Sequence, residues 1–248
     1  ERLALSITQR FPNHQLSWKV LGSVFKIKGR KSEALDAYQE AAALSPEDAE
    51  AHYNLGNTLK EVGRLDEAEV SYKQAIALRP VFAEAHNNLG NTLKELGRLD
   101  EAKAILSATI ALRSDYAEAH YNLGNTLKEL GRLDEAEVSL RQAIVLNPVF
   151  AEAHNNLGVT LQFLDRLDEA ESCLRQAIAV KSDYAEAYNN LGNTLKEMGR
   201  LDDAETSFWA AIELRPDYAE AYNNVGVTLQ EQGRLEQADV NYMQAILL

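Results

Sequence analysis

Amide side chains recur along this chain at a fixed interval. Asn54, Asn88, Asn122, Asn156, Asn190 and Asn224 form one row with a step of 34 residues. Asn57, Asn91, Asn125 and Asn193 form a second, interrupted by Val159 and Val227. Lys60, Lys94, Lys128 and Lys196 form a third, and Glu50, Glu84, Glu118, Glu152, Glu186 and Glu220 a fourth. Glu50, Asn54, Asn57 and Glu61 are spaced by 4, 3 and 4 residues, which puts them on one stripe of a helix. Tyr53 and Lys60 flank it. Asparagine is a poor helix-interior residue because its side chain competes for backbone hydrogen bonds. Its amide, however, offers both donors and acceptors. A row of such amides can clamp an extended peptide backbone without reading its side chains. A second reading stands beside this one: the asparagines bond to neighbouring helices, or were simply copied with the repeat.

Other residues invite chemistry and are better explained without it. His52, His86, His120 and His154 recur at one position. Stacked helices lie about 8–10 Å apart, whereas zinc needs several ligands at about 2 Å. The same position holds Trp18, Tyr188 and Tyr222, so it asks for a large flat side chain in a packing role. Cys173, the one cysteine, stands where other copies have serine and reads as a semi-exposed structural thiol. Asp66-Glu67 and its copies read as helix starts rather than acid–base pairs. No phosphate-binding glycine loop or catalytic triad pattern is present. The chain is therefore not expected to be an enzyme itself, nor to hold a metal or cofactor. Phe163 stands where other copies have glutamate, either as an anchor for a ligand side chain or as a stray exposed aromatic.

The element that positions these rows is the repeat. Asn-Leu-Gly-Asn-Thr-Leu-Lys-Glu stands unchanged at 54–61, 88–95, 122–129 and 190–197, with looser copies from Asn156 and Asn224. A fixed period in this range means stacked supersecondary units. Six full units are expected at 15–48, 49–82, 83–116, 117–150, 151–184 and 185–218, and a seventh at 219–248 lacks its last turn. Residues 1–14 read as the second-helix remnant of a preceding unit. Glu1 to Phe11 is its helical segment, and Pro12-Asn13-His14 closes it. The chain is thus expected to be an excerpt of a longer protein.

In unit 49–82, Ala51, Leu55, Gly56, Leu59 and Val62 have helical spacing. Gly63 ends that helix in a left-handed cap. Asp66-Glu67-Ala68-Glu69 opens a second helix in the form of a capping box. That helix carries Tyr72, Ala75, Ile76 and Leu78 on its apolar face, and Pro80 stops it. The recurring small residues Gly56 and Ala68 are expected to let the two helices approach closely. Asp165 replaces a turn glycine and should still allow the turn. Ser114 and Ser182 replace the closing proline, so 49–116 and 117–184 read as copies of one 68-residue pair.

The formal charge is −13 and the isoelectric point about 4.9. Nucleic acid and anionic membrane surfaces need a basic footprint, so neither is expected as a partner. No apolar run reaches the length of a membrane span. A lone cysteine forms no intrachain disulfide and fits a reducing compartment, so a cytoplasmic setting is expected.

The 34-residue helix pair, with Trp18-x-x-Leu21-Gly22, Ala34, Tyr38, Ala41 and Pro46 in the first full unit, resembles the tetratricopeptide repeat (TPR). Asn-Leu-Gly, Gly-Arg-Leu-Asp-Glu-Ala and Ala-Glu-Ala-His are similar to the repeat arm of the O-linked N-acetylglucosamine transferase and SPINDLY-like families. Arg10-Phe11-Pro12-Asn13-His14 with Trp18-Lys19-Val20-Leu21-Gly22 looks like the start of bacterial repeat arms that precede glycosyltransferase or sulfotransferase domains. The resemblance implies an all-α fold, an α-solenoid whose stacked helix pairs form a right-handed superhelix. It implies that the first helices line a concave groove, and that the first asparagine row contacts a peptide. The expected function is a scaffold that binds an extended peptide or protein segment there. The alternative is a substrate-recognition arm of a larger transferase. Val20 breaks the row, so the groove is expected to weaken toward that end. Replacing Asn122, Asn156 and Asn190 by alanine is expected to leave folding intact and weaken binding. A helical-pair RNA reader is disfavoured by charge and by identical residues in successive units, which leave no base code. Val240, Met243, Ile246 and Leu247 form an apolar face on the last helix, where end-to-end self-association is expected.

Overall fold

The computed structural model describes residues 2–248; Glu1, counted above in the first helical segment, lies outside them. Fifteen helices and no strand are found among the described residues. The chain opens with α1 (Arg2–Arg10). Pairs follow: α2 (Gln15–Ile27) with α3 (Lys31–Leu44), α4 (Ala49–Glu61) with α5 (Leu65–Leu78), and α6 (Ala83–Glu95) with α7 (Leu99–Leu112). Then come α8 (Ala117–Glu129) and α9 (Leu133–Leu146), followed by α10 (Ala151–Phe163) with α11 (Leu167–Val180), α12 (Ala185–Glu197) with α13 (Leu201–Leu214), and α14 (Ala219–Glu231) with α15 (Leu235–Leu247). The fold is an α-solenoid. Its residues fall into two compact units, one ending at Thr126 and the other Leu127–Leu248.

From α2 to α7 in the first unit, and from α9 to α15 in the second, each helix packs on the next one in the chain. In the first unit α4 also touches α6; in the second α10 touches α12, and α12 touches α14. Within each unit, no two successive second helices pack as extensively among the described residues. The side built from first helices is therefore where neighbouring pairs come closest.

The turn inside each pair is a left-handed cap. Gly63 has φ +80°; its N–H reaches Lys60 O at 3.0 Å, and Arg64 N–H reaches Leu59 O at 2.9 Å. Asp165 takes the same turn with φ +58°, with Asp165 N–H on Gln162 O at 2.9 Å and Arg166 N–H on Leu161 O at 3.0 Å. A side chain in this region costs about 1 kcal/mol or more. Asp165→Gly is therefore expected to raise the thermal midpoint by about 2–4 °C, read by circular dichroism. An unchanged midpoint would mean that the aspartate carries no strain there.

The capping box expected at Asp66–Glu69 does not form. The cap residue is Arg64, and no side chain accepts from the first turn of α5. The Arg64 guanidinium instead grips Glu67, with Nε on Oε1 at 2.6 Å and Nη2 on Oε2 at 2.5 Å. The glutamate three places into the helix thus answers the cap's side chain rather than its backbone N–H. Arg98–Glu101, Arg132–Glu135 and Arg166–Glu169 repeat the arrangement. The acids still sit at the positive end of the helix.

The close approach within each pair is set by glycine against a large side chain. A Cβ added to Gly56 would lie 2.8 Å from the Tyr72 ring, and one on Gly192 2.5 Å from Phe208. The expected glycine–alanine facing is the lesser part of this contact. Ala68 is fully buried, and at Gly158 an added Cβ would come within 3.2 Å of Ala170 O. Leu78, placed on the apolar face from spacing, is exposed, as are Leu112 and Leu214. Each is the last residue of its helix, beyond the buried Ala75-type contact. Thr58 and its copies, silent in the sequence pattern, are buried with the hydroxyl donated to the carbonyl four residues back, as in Thr58 Oγ1 to Asn54 O at 3.0 Å. That back-bond satisfies a hydroxyl which would otherwise be costly to bury.

Candidate functional site

The asparagine rows lie on the first helices and are half-buried, apart from the buried Asn125. In the first unit Asn88 Nδ2 donates to Asn57 Oδ1 at 2.8 Å, and the Tyr72 hydroxyl donates to the same oxygen at 2.8 Å. Asn122 Nδ2 donates to Asn87 Oδ1 at 2.9 Å. In the second unit Asn190 donates to Asn155 at 2.9 Å and Asn224 to Asn189 at 3.0 Å. Asn155 Nδ2 reaches Asn156 Oδ1 at 3.1 Å, and Asn189 Nδ2 reaches Glu220 at 3.0 Å. Four members of the first row, Asn88, Asn122, Asn190 and Asn224, are thus donors that tie their pair to the one before it.

The acceptors Asn87, Asn155 and Asn189 are buried and were not among the residues singled out from the sequence. The doubled asparagines, Asn87-Asn88, Asn155-Asn156 and Asn189-Asn190, were the available signal. The alanine substitutions at Asn122, Asn156 and Asn190 therefore do not isolate binding. Two of them would strand the buried oxygens of Asn87 and Asn155, at roughly 1–3 kcal/mol each.

Other members of the rows are differently engaged. Asn54, Asn91 and Asn193 have no partner for their side-chain amides among the described residues. The reason at the last two is visible: Leu106 and Phe208 stand where Tyr72 supplies a hydroxyl to Asn57. Lys60 pairs with Glu95 of the next pair at 3.1 Å. Lys94, Lys128, Asn125 and Asn156 take part in further interactions, whereas Lys196 has no ion pair among the described residues.

The glutamate row is mostly occupied. Glu84 binds Arg113 at 2.6 Å, Glu186 binds Arg215 at 2.9 Å, and Glu152 lies 3.5 Å from Lys181. Arg113 and Arg215 also lie over the rings of Tyr116 and Tyr218 at 3.6 and 3.5 Å. At the first full unit the stripe changes character. Val20 is exposed, and Lys19 bonds Asp48 at 3.2 Å and Glu50 at 2.9 Å. Burial works against the Asp48 charge, but bonds from Gln15, Lys19 and the Glu50 N–H hold its carboxyl down at about 2. Asp48 also caps α4, unlike the aromatic residues at the later first-helix starts.

The histidines have a definite task. His52, His86, His120 and His154 each bring Nε2 to the carbonyl six residues earlier, at 2.9–3.0 Å. Trp18 Nε1 donates to Pro12 O at 2.7 Å in the same way. The position thus holds the turn between pairs, a role that flat packing alone did not anticipate. No group of metal-ligating side chains occurs among the described residues. Burial raises the Cys173 thiol above its ordinary range, which disfavours the thiolate. No described helix is long and apolar enough to cross a membrane. Phe163 is 69% exposed, and Val240, Met243, Ile246 and Leu247 are exposed on the last helix.

A tetratricopeptide-repeat family model described as the C-terminal domain of cilia and flagella-associated protein 70 matches residues 48–248. The chain belongs to that TPR family. A TPR repeat model also matches residues 22–63. No curated protein matches the chain. Among solved structures, the TPR chain is similar to one in the APC/C hetero-tetramer Cut9-Hcn1, with TM-score 0.80 and 19% identity over 92% of this chain. It spans 45% of that chain's length. It is similar to MamA, with TM-score 0.59 and 27% identity over 64% of this chain and 92% of MamA. It is also similar to YrrB, described as a TPR protein with an unusual peptide-binding site, with TM-score 0.59 and 27% identity over 75% of this chain and 96% of YrrB. These comparisons lend no support to the finer resemblance to transferase arms.

Proposed function

We propose that this TPR chain is an interaction scaffold whose first-helix face binds an extended peptide or protein segment. The observation that carries the reading is the half-buried amides on first helices, Asn54 and Asn91 in one unit and Asn193 in the other, whose side chains have no partner among the described residues. Each offers a donor and an acceptor, the groups that a peptide backbone needs. The bonded asparagines hold neighbouring pairs in register, so the unpartnered ones stand in a fixed frame. The description of YrrB as peptide-binding agrees with this reading. The arm of a larger transferase remains the alternative; it works through the same face, and no feature of the structure favours it.

The test uses peptides selected from a randomised library on the unmodified chain. Asn91→Ala with Asn193→Ala should weaken their binding by about ten-fold or more, since each lost bond is worth about 1 kcal/mol. The thermal midpoint should stay unchanged, because neither amide has a protein partner to lose. Equal affinity in the double variant would remove the amides from the binding role.

A further inference from the structure

The fifth repeat departs from its neighbours on the face proposed to bind peptide. Where α4, α6, α8 and α12 carry asparagine, lysine and glutamate, α10 carries Val159, Gln162 and Phe163, and α14 keeps the glutamate, Glu231, beside Val227 and Gln230. Val159 and Phe163 are four residues apart, hence neighbours on one helical face. Phe163 is 69% exposed, while the glutamates at its position serve the ladder between pairs: Lys60 meets Glu95, and Gln162 meets Glu197 at 2.6 Å. Phenylalanine replaces a charge that had a structural partner and leaves its ring in solvent.

Charge is also unevenly placed. Residues 1–126 carry 15 basic and 17 acidic side chains, a net −2, and residues 127–248 carry 10 and 21, a net −11. The first helices α10, α12 and α14 hold Glu152, Glu186, Glu197, Glu220 and Glu231; Glu152 and Glu186 are paired with Lys181 and Arg215, and the other three stand against one cation on these helices, Lys196. An acidic face with one apolar ring complements a cationic chain with one large apolar side chain.

We propose that Val159 and Phe163 form an anchor subsite for a large apolar side chain of a basic, extended peptide. This rests on the peptide-binding reading above and adds to it a position and a ligand class. The amides proposed above hold the peptide's backbone, and the Phe163 ring takes one of its side chains. A buried aromatic anchor is the kind of contact that dominates small interfaces.

Selection from a randomised peptide library tests this, with the unmodified chain, Phe163→Glu, and Asn91→Ala with Asn193→Ala as parallel baits. Phe163→Glu installs the residue found at Glu61, Glu95, Glu129, Glu197 and Glu231, so it should fold. The unmodified chain should enrich peptides with basic residues around one large apolar position. Phe163→Glu should lose the apolar position, keep the basic preference, and bind the enriched peptides about ten-fold more weakly. An enriched set with no apolar position, an acidic set, or the same apolar position from Phe163→Glu would overturn the subsite. If that set still depended on Asn91 and Asn193, the peptide-binding reading would stand. No enrichment on the unmodified chain would overturn both.

Discussion

Phe208→Ala is expected to lower stability by about 3–5 kcal/mol, the range for deleting a large aromatic from a closed core. Phe208 is fully buried and packs in one cluster with Leu191, Leu195, Ala204, Ala211 and Val225. It lies so close to Gly192 that a single added carbon would fall 2.5 Å from its ring. The helices of this pair meet across that contact, and truncation leaves a hole that α12 and α13 cannot both close. Phe208→Leu should cost less than about 1.5 kcal/mol, because Leu106, Leu140 and Leu174 fill the matching place in other pairs and are fully buried there. In a repeat array such a loss spreads through nearest neighbours. Hydrogen exchange should therefore show lost protection in 185–248 first, with 49–82 little changed. A Phe208→Ala chain with the unmodified urea midpoint would show that the glycine–aromatic contact is not what holds the pair.

The period of 34 residues made the fold legible before any coordinate. Helices, turns and their glycine caps follow from spacing, and even Asp165 in a glycine's place keeps the left-handed turn. What spacing hid was partnership. Gly56 and Ala68 look like a matched pair of small residues, yet the glycine's main neighbour is Tyr72, sixteen positions on, because ring bulk and missing Cβ compensate each other. Asp66-Glu67 looks like a capping box, but Arg64 at the cap has the longer reach and takes the glutamate. The histidines looked like packing, and only coordinates bring their nitrogens to the turn carbonyls. The asparagine rows show the limit most directly. Identical residues at identical spacing divide into those with a partner and those without. At Asn57 and Asn91 the difference lies in what stands opposite in the second helix, the hydroxyl of Tyr72 or the side chain of Leu106. A single row read along the sequence carries no information about that.

Asn155→Ala together with Asn189→Ala should therefore cost roughly 2–5 kcal/mol, while Asn193→Ala on the same face costs almost nothing. Asn155 and Asn189 are buried, and their oxygens accept the amides of Asn190 and Asn224 at 2.9 and 3.0 Å. Asn189 also donates to Glu220 at 3.0 Å. Removing them leaves Asn190 and Asn224 half-buried with nothing to bond, and unties successive pairs. Asn193 is four residues beyond Asn189 on the same helix, with no protein partner. Urea midpoints of the three chains decide between two pictures of the rows. If the double variant falls and Asn193→Ala does not, amides of one residue type do two jobs, register between repeats and contact with a ligand. If all three melt alike, the bonds between neighbouring asparagines add no stability. The whole face is then free to meet a partner, and its rigidity must come from the glycine–aromatic contacts beneath it.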